Sequence, residues 1–214
     1  MRARRLPLFP LPGVVLLPGT LLPLHIFEPR YRAMVADALE GDRMIGMAML
    51  KPGWERASEP PPIYAVGGAG EIVESEELED GRSNIVLEGR FRYRILGEAR
   101  PDPYRLARVE EIPAASFIGR SQQEEAIAVA TAAFAEIAGE LEMPPLPAGA
   151  LSPERLASEL ALRLRFAPPE LQTFLETDSL SERYRALTGR MIEWRNRMRF
   201  LAPFRPDDLD TNRN

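Results

Sequence analysis

Five prolines, Pro7, Pro10, Pro12, Pro18 and Pro23, interrupt the apolar run from Leu6 to Phe27. Proline lacks a backbone N–H and costs about 3 kcal/mol inside a helix, so the run cannot be one apolar helix. A membrane span is excluded there, and no other stretch is apolar for long enough. Arg2, Arg4 and Arg5 precede the run as in a secretory leader, but no small-residue cleavage site follows, so no signal peptide is expected. What remains is extended chain broken by turns. The 21 prolines among 214 residues are well above the usual share of about 5% and favour edges, turns and loops.

The first half accordingly reads as strands. Val14–Leu17 between two Pro-Gly turns, and Leu21–Phe27, are expected to be extended. Glu28-Pro29-Arg30-Tyr31 opens a helix to about Leu39, with Tyr31, Met34, Val35 and Ala38 at helical spacing. Strands are expected over 44–50, 64–78, 84–96 and 104–112, with a turn at Asp80-Gly81. Gly67, Gly68 and Gly70 mark a bulge or a close backbone approach. No connection before residue 112 is read as a helical crossover, which predicts a mainly antiparallel sheet.

The second half reads as helices. They are expected over 121–141, from Pro153 to about Phe166 behind the N-cap Ser152, over 169–176, and from just after Asp178-Ser179 through Leu201. On the last of these, Tyr184, Leu187, Met191, Trp194, Met198 and Leu201 fall 3, 4, 3, 4 and 3 residues apart, one stripe along one face. Packing inside the chain is favoured for that stripe; a homodimer seam is the alternative. The domain reading is a β-rich part over 1–115, a helical part over 116–202 and a disordered tail over 203–214.

Composition removes most chemistries. There is no cysteine, one histidine (His25) and one lysine (Lys51), while arginine supplies the rest of the 27 basic side chains. Disulfides, thiolate metal sites and cysteine nucleophiles are therefore impossible, and a site with two histidine ligands cannot form within one chain. Gly67-Gly68-Ala69-Gly70 fits neither GxxxxGK[ST] nor GxGxxG, and no GxSxG is present. The acidic residues Glu74, Glu76, Glu77, Glu79 and Asp80 lack calcium-loop spacing and read as a solvated turn. No catalytic residue, metal or cofactor is expected. A net charge of −5 gives no general attraction to nucleic acid or anionic membranes.

Arg90, Arg92 and Arg94 alternate with Phe91, Tyr93 and Ile95, which puts three guanidinium groups on one face of a strand. Pairing across the hairpin with Glu71, Glu74 and Glu76 is the favoured explanation. A phosphate-facing stripe is the alternative, and would make these three the RNA contacts.

Leu6-Pro-Leu-Phe-Pro-Leu-Pro-Gly-Val-Val-Leu-Leu-Pro-Gly, then Leu22-Pro-Leu-His-Ile-Phe-Glu-Pro-Arg-Tyr-Arg, resembles the opening of the Lon protease N-terminal domain family, and more narrowly its stand-alone bacterial members. The likeness continues in Gly70-Glu-Ile-Val, in Asn84-Ile-Val-Leu-Glu-Gly-Arg-Phe-Arg-Tyr-Arg-Ile, in Arg155-Leu-Ala-Ser-Glu-Leu and in Leu171-Gln-Thr-Phe-Leu-Glu. The resemblance implies an α+β fold: a mainly antiparallel, PUA-like β pseudo-barrel with one inserted helix, followed by a C-terminal helical bundle. It also implies a recognition module without chemistry, lacking the ATPase and protease domains of full-length Lon. Read physically, Glu28 is expected to cap a helix start and Asn84 the Asp80-Gly81 turn.

The expected function is recognition of peptides or of unfolded or partly folded protein segments, or an adaptor role beside a protease or chaperone, in the cytoplasm. Phe27, Tyr31 and Trp54 are the candidate contacts, in a groove between the β part and helices. Strand addition at an exposed edge of an incompletely closed barrel is the second route.

Overall fold

The computed structural model describes residues 3–57, 59–99, 103–139, 143, 146 and 151–201. The tail over 203–214, and most of the Pro-rich break after the first long helix, lie outside the described residues.

Strands β1 (Ala3–Leu11), β2 (Leu21–Ile26), β3 (Met44–Met49), β4 (Val66–Glu77), β5 (Ser83–Glu98) and β6 (Arg105–Ile112) form one sheet in the order β2-β5-β4-β3-β1-β6. A further β5–β6 pairing closes β1, β3, β4, β5 and β6 into a barrel and leaves β2 outside it on the first half of β5. Closure is possible because β5 is 16 residues long. Its early residues pair with β2, and those from Arg92 onward pair with β6. Helix α1 (Pro29–Glu40) is inserted between β2 and β3.

The sheet is antiparallel except for β1 and β3, which run parallel with Leu8 opposite Gly46. The helical crossover that the sequence reading excluded before residue 112 therefore exists: it runs through β2 and α1. The strand expected at Val14–Leu17 is also absent. Held between the turns at Gly13 and Gly19, this segment crosses the sheet instead of joining it. Leu16 and Leu17 are both buried, but in different cores. Leu16 joins the cluster under α1 with Tyr31, Met34, Ile72 and Leu87, whereas Leu17 joins the cluster of the helical part. A third cluster, with Leu6, Leu8, Tyr93 and Val109, fills the barrel.

Helices α2 (Arg120–Ala138), α3 (Pro153–Arg163), α4 (Pro168–Glu176) and α5 (Leu180–Leu201) follow. Ser152 caps α3 by accepting from Arg155 N at 3.3 Å. The stripe on α5 is internal: Tyr184, Leu187, Met191 and Met198 are buried with residues of α2, α3 and α4. Leu17, Val66, Ile112 and Ala115 of the β part belong to the same cluster, so the two halves share a core.

Candidate protein-binding groove

A pocket of about 240 Å³ opens where the end of β1, the start of α1 and the start of β6 converge. Tyr31 from the first turn of α1 and Trp54 from a single 3-10 turn (Trp54–Arg56) line it, together with Tyr104, Arg105 and prolines of three segments. Tyr31 is 5% exposed, with its ring 4.3 Å from that of Phe9. The Arg30 guanidinium lies 4.6 Å from the same ring, held by an ion pair to Glu28 at 2.8 Å. Glu28 is thus used differently from the expected cap: its carbonyl, not its carboxylate, receives the first α1 amides.

Two contacts fix the far wall. The Tyr104 hydroxyl donates to Asp37 at 2.6 Å. Burial first, and then that bond to a carboxylate, push the Tyr104 phenol up to about 12. Arg105, 8% exposed, donates to both oxygens of Glu98 at 2.7 and 2.8 Å and to the carbonyl of Pro61 at 2.7 Å. The Pro-rich loop carrying Trp54 is thereby tied to the barrel. Burial also raises the Tyr31 phenol. The walls are aromatic and prolyl, and of the ionisable groups lining them Glu28, Arg30 and Arg105 are already paired.

The structure brings Tyr31 and Trp54 together and leaves Phe27 out. Phe27 is 61% exposed at the end of β2, with its ring 6.2 Å from that of His25. The groove also lies between α1 and loops of the β part, not at the junction with the C-terminal helices. Tyr104 and Arg105 escaped the sequence reading because nothing in a single strand start tells that it will face α1. The prolines at 101 and 103 beside Tyr104 were the available signal.

The arginine stripe does not form one solvent face. Arg90 pairs with Glu71 at 2.9 Å and Glu88 at 2.8 Å, while Arg94 is exposed. Arg92 is 1% exposed. It donates to the carbonyls of Leu175 (3.0 Å) and Pro113 (2.9 Å) and to Asp178 Oδ1 (2.8 Å). The helical part covers this stretch of the barrel and turns the middle guanidinium into a clamp on the end of α4. Of the expected glutamate partners, only Glu71 is used. Glu74 and Glu76 lie opposite Val86 and Asn84, because the register counted from the turn keeps them nearer to it than the arginines are.

Asn84 does not cap the hairpin turn. Asp80 does so, accepting from Arg82 N at 3.0 Å. Asn84 instead donates to Glu76 at 3.1 Å and presents its carbonyl oxygen to His25 Nδ1 at 2.8 Å. That geometry assigns the Nδ1–H tautomer, since the glutamate can only accept. His25 is a structural link between β2 and β5.

The barrel being closed, an open strand edge remains at β2. Gly89 donates to the Thr20 carbonyl at 2.9 Å and accepts from Gly19 N at 2.8 Å, a bulge that fixes the register. The backbone groups of Leu21, Pro23 and His25 then face the open edge. Pro23 removes the donor in the middle of that edge.

The model of the ATP-dependent protease La (LON) substrate-binding domain matches residues 5–192. The chain belongs to the Lon substrate-binding domain family. It is 28% identical over 201 residues to Lon protease of Anaeromyxobacter dehalogenans, covering 91% of this chain and 23% of that protein. Against Lon protease 2 of Myxococcus xanthus the figures are 28%, 91% and 24%. The chain thus spans about a quarter of the length of these Lon relatives. In fold it resembles the N-terminal domain of a Mycobacterium avium complex Lon protease, with a TM-score of 0.64 at 19% identity over 89% of this chain and 99% of that one. A Lon N-terminal domain protein from Xanthomonas campestris gives 0.64 at 23% identity, over 87% and 98%. No helix among the described residues is long and apolar enough to cross a membrane.

Proposed function

We propose that this chain is a non-catalytic recognition module that binds segments of unfolded or partly folded protein in the groove between α1 and the Trp54 loop. One observation carries this reading: Tyr31, Trp54 and Tyr104 converge with prolines of three separate segments on one pocket. Aromatic rings offer a large contact area at little cost in side-chain entropy, which suits recognition of many sequences. The family description, a substrate-binding domain, supports the same role. An adaptor role beside a protease is the form this takes if the bound segment is delivered onward. A cytoplasmic setting is part of the same proposal.

The test uses reduced, carboxymethylated lactalbumin, a permanently unfolded chain, as ligand. Trp54→Ala is expected to weaken its binding about tenfold or more, the usual effect of truncating an anchoring tryptophan. Phe27→Ala, outside the groove, is expected to leave it unchanged. Equal affinity of wild type and Trp54→Ala would overturn the assignment.

A further inference from the structure

Arg5 on β1 and Arg108 on β6 are directly opposite each other in the antiparallel register. Both are exposed, and among the described residues neither forms an ion pair with an acidic side chain. Like charges in opposed positions, with Cβ atoms roughly 5 Å apart, destabilise a sheet. Nothing in the barrel core uses these guanidinium groups, because the inward-facing neighbours Leu6, Ala107 and Val109 do the packing. The repulsion is therefore a feature of the surface and not a by-product of the fold.

The ground beside the pair is open. β5 carries a bulge between Ile95 and Gly97, which brings Gly97 opposite Arg108. A Cβ at Gly97 would meet nothing within 4 Å. A cavity of about 380 Å³ lies between Arg5, Gly97, Glu98, Leu106 and Arg108, more than ten times the roughly 30 Å³ share of one water. Glu98 borders it, but both of its oxygens are taken by Arg105. Glu110, next along the same face of β6, is opposed by Arg94 on β5. The local charge around the cavity is positive.

We propose that Arg5 and Arg108 form a binding site for a phosphate group on the outer wall of the barrel, separate from the aromatic groove. Two guanidinium forks carry the charge of one phosphate dianion and can each donate two parallel hydrogen bonds to it. A carboxylate would balance only one of them. The phosphate arrives either as a free small anion or on a phosphorylated side chain of a protein segment.

The experiment measures inorganic phosphate binding by calorimetry, and the melting temperature as phosphate replaces chloride at constant ionic strength. A saturable rise in melting temperature is expected for wild type. Arg5→Gln and Arg108→Gln are each expected to weaken phosphate binding about tenfold, and the double variant to abolish it. Without phosphate, the single variants should melt at or above the wild-type temperature, because the repulsion is relieved. This separates loss of a site from loss of folding. Arg108→Lys, keeping the charge without the fork, should fall between wild type and Arg108→Gln. No phosphate-specific shift in wild type, or a shift surviving in the double variant, would overturn the site. A phosphoserine peptide is then compared with its unphosphorylated form. Binding of the phosphorylated form more tightly than inorganic phosphate assigns the site to protein-borne phosphate, and weaker binding assigns it to the free anion.

Discussion

Gly68 and Gly89 are where the backbone of the 14–18 segment touches the sheet. A Cβ on Gly68 would lie 1.9 Å from the Leu16 carbonyl oxygen, and one on Gly89 would lie 2.1 Å from that of Leu17. Neither obstacle can swing aside as a side chain could. Gly68→Ala is therefore expected to destabilise the protein by at least about 2 kcal/mol in urea unfolding, the scale of an overpacked core. Gly139→Ala, where a Cβ meets nothing within 4 Å, should stay within about 0.5 kcal/mol of wild type. Tyr104 gives a prediction in pH. Its phenol is held protonated in the folded state up to about 12, against an ordinary value of 10.0. Between those values the folded chain binds more protons than the unfolded chain, so stability falls as pH rises. The contribution is complete below about pH 10 and is gone above about pH 12. Tyr93 and Tyr184 are shifted in the same direction by burial and add to the loss. Tyr104→Phe should make the decline of the urea midpoint over this range shallower; an unchanged slope would dissociate Tyr104 from it.

At the scale of elements, β5 does the most. It pairs with β2, β4 and β6, closes the barrel, and sends Arg92 into the helical part. Arg92 meets Arg183 there, with Glu154 and Asp178 as counter-charges: Arg183 lies 3.2 Å from Glu154. Burial first, and the neighbouring Arg92 second, lower the Arg183 pKa to about 10. The edge strand β2 makes a different point. Pro23 leaves β2 without its central outward donor, and Pro23→Val would restore it. That variant is expected to self-associate more at high concentration, read by sedimentation velocity, while keeping its secondary structure. A sedimentation profile identical to wild type would show that Pro23 does not guard the edge.

For the whole molecule, the shared core sets cooperativity. Leu17, Val66, Ile112 and Ala115 are buried against the helices, and Arg92 bonds carbonyls on both sides of the junction. Neither half can separate without exposing this apolar surface and breaking the Arg92 bonds to Leu175 and Asp178. The halves are therefore expected to unfold together. The two tryptophans permit a direct check, since Trp54 reports the β part and Trp194 the helical part. Trp54→Phe and Trp194→Phe variants, each followed by the fluorescence of the remaining tryptophan, should give coincident urea transitions. Two separate midpoints would show independent units.

The chain order from β2 to α5, the Asp80-Gly81 turn, the Ser152 cap and the α5 stripe were legible in the sequence because each depends on local chemistry or a short period, whereas β1, with its two prolines, was not read as a strand. The close approach at Gly68 was legible as well, since only a glycine allows it. Three further things were not. Val14–Leu17 has strand composition, but its side chains are divided between two cores by elements far away in the chain. Arg92 has the same strand setting as Arg90 and Arg94, yet packing of α4 against the barrel buries one and leaves the others outside. The groove joins Tyr31, Trp54 and Tyr104 across more than seventy residues, while Phe27, only four residues from Tyr31, points elsewhere. Short-range pattern determines which element a residue occupies and which face it takes. What that face meets depends on closure of the barrel and docking of the helices, and those are decided by burial summed over the whole chain.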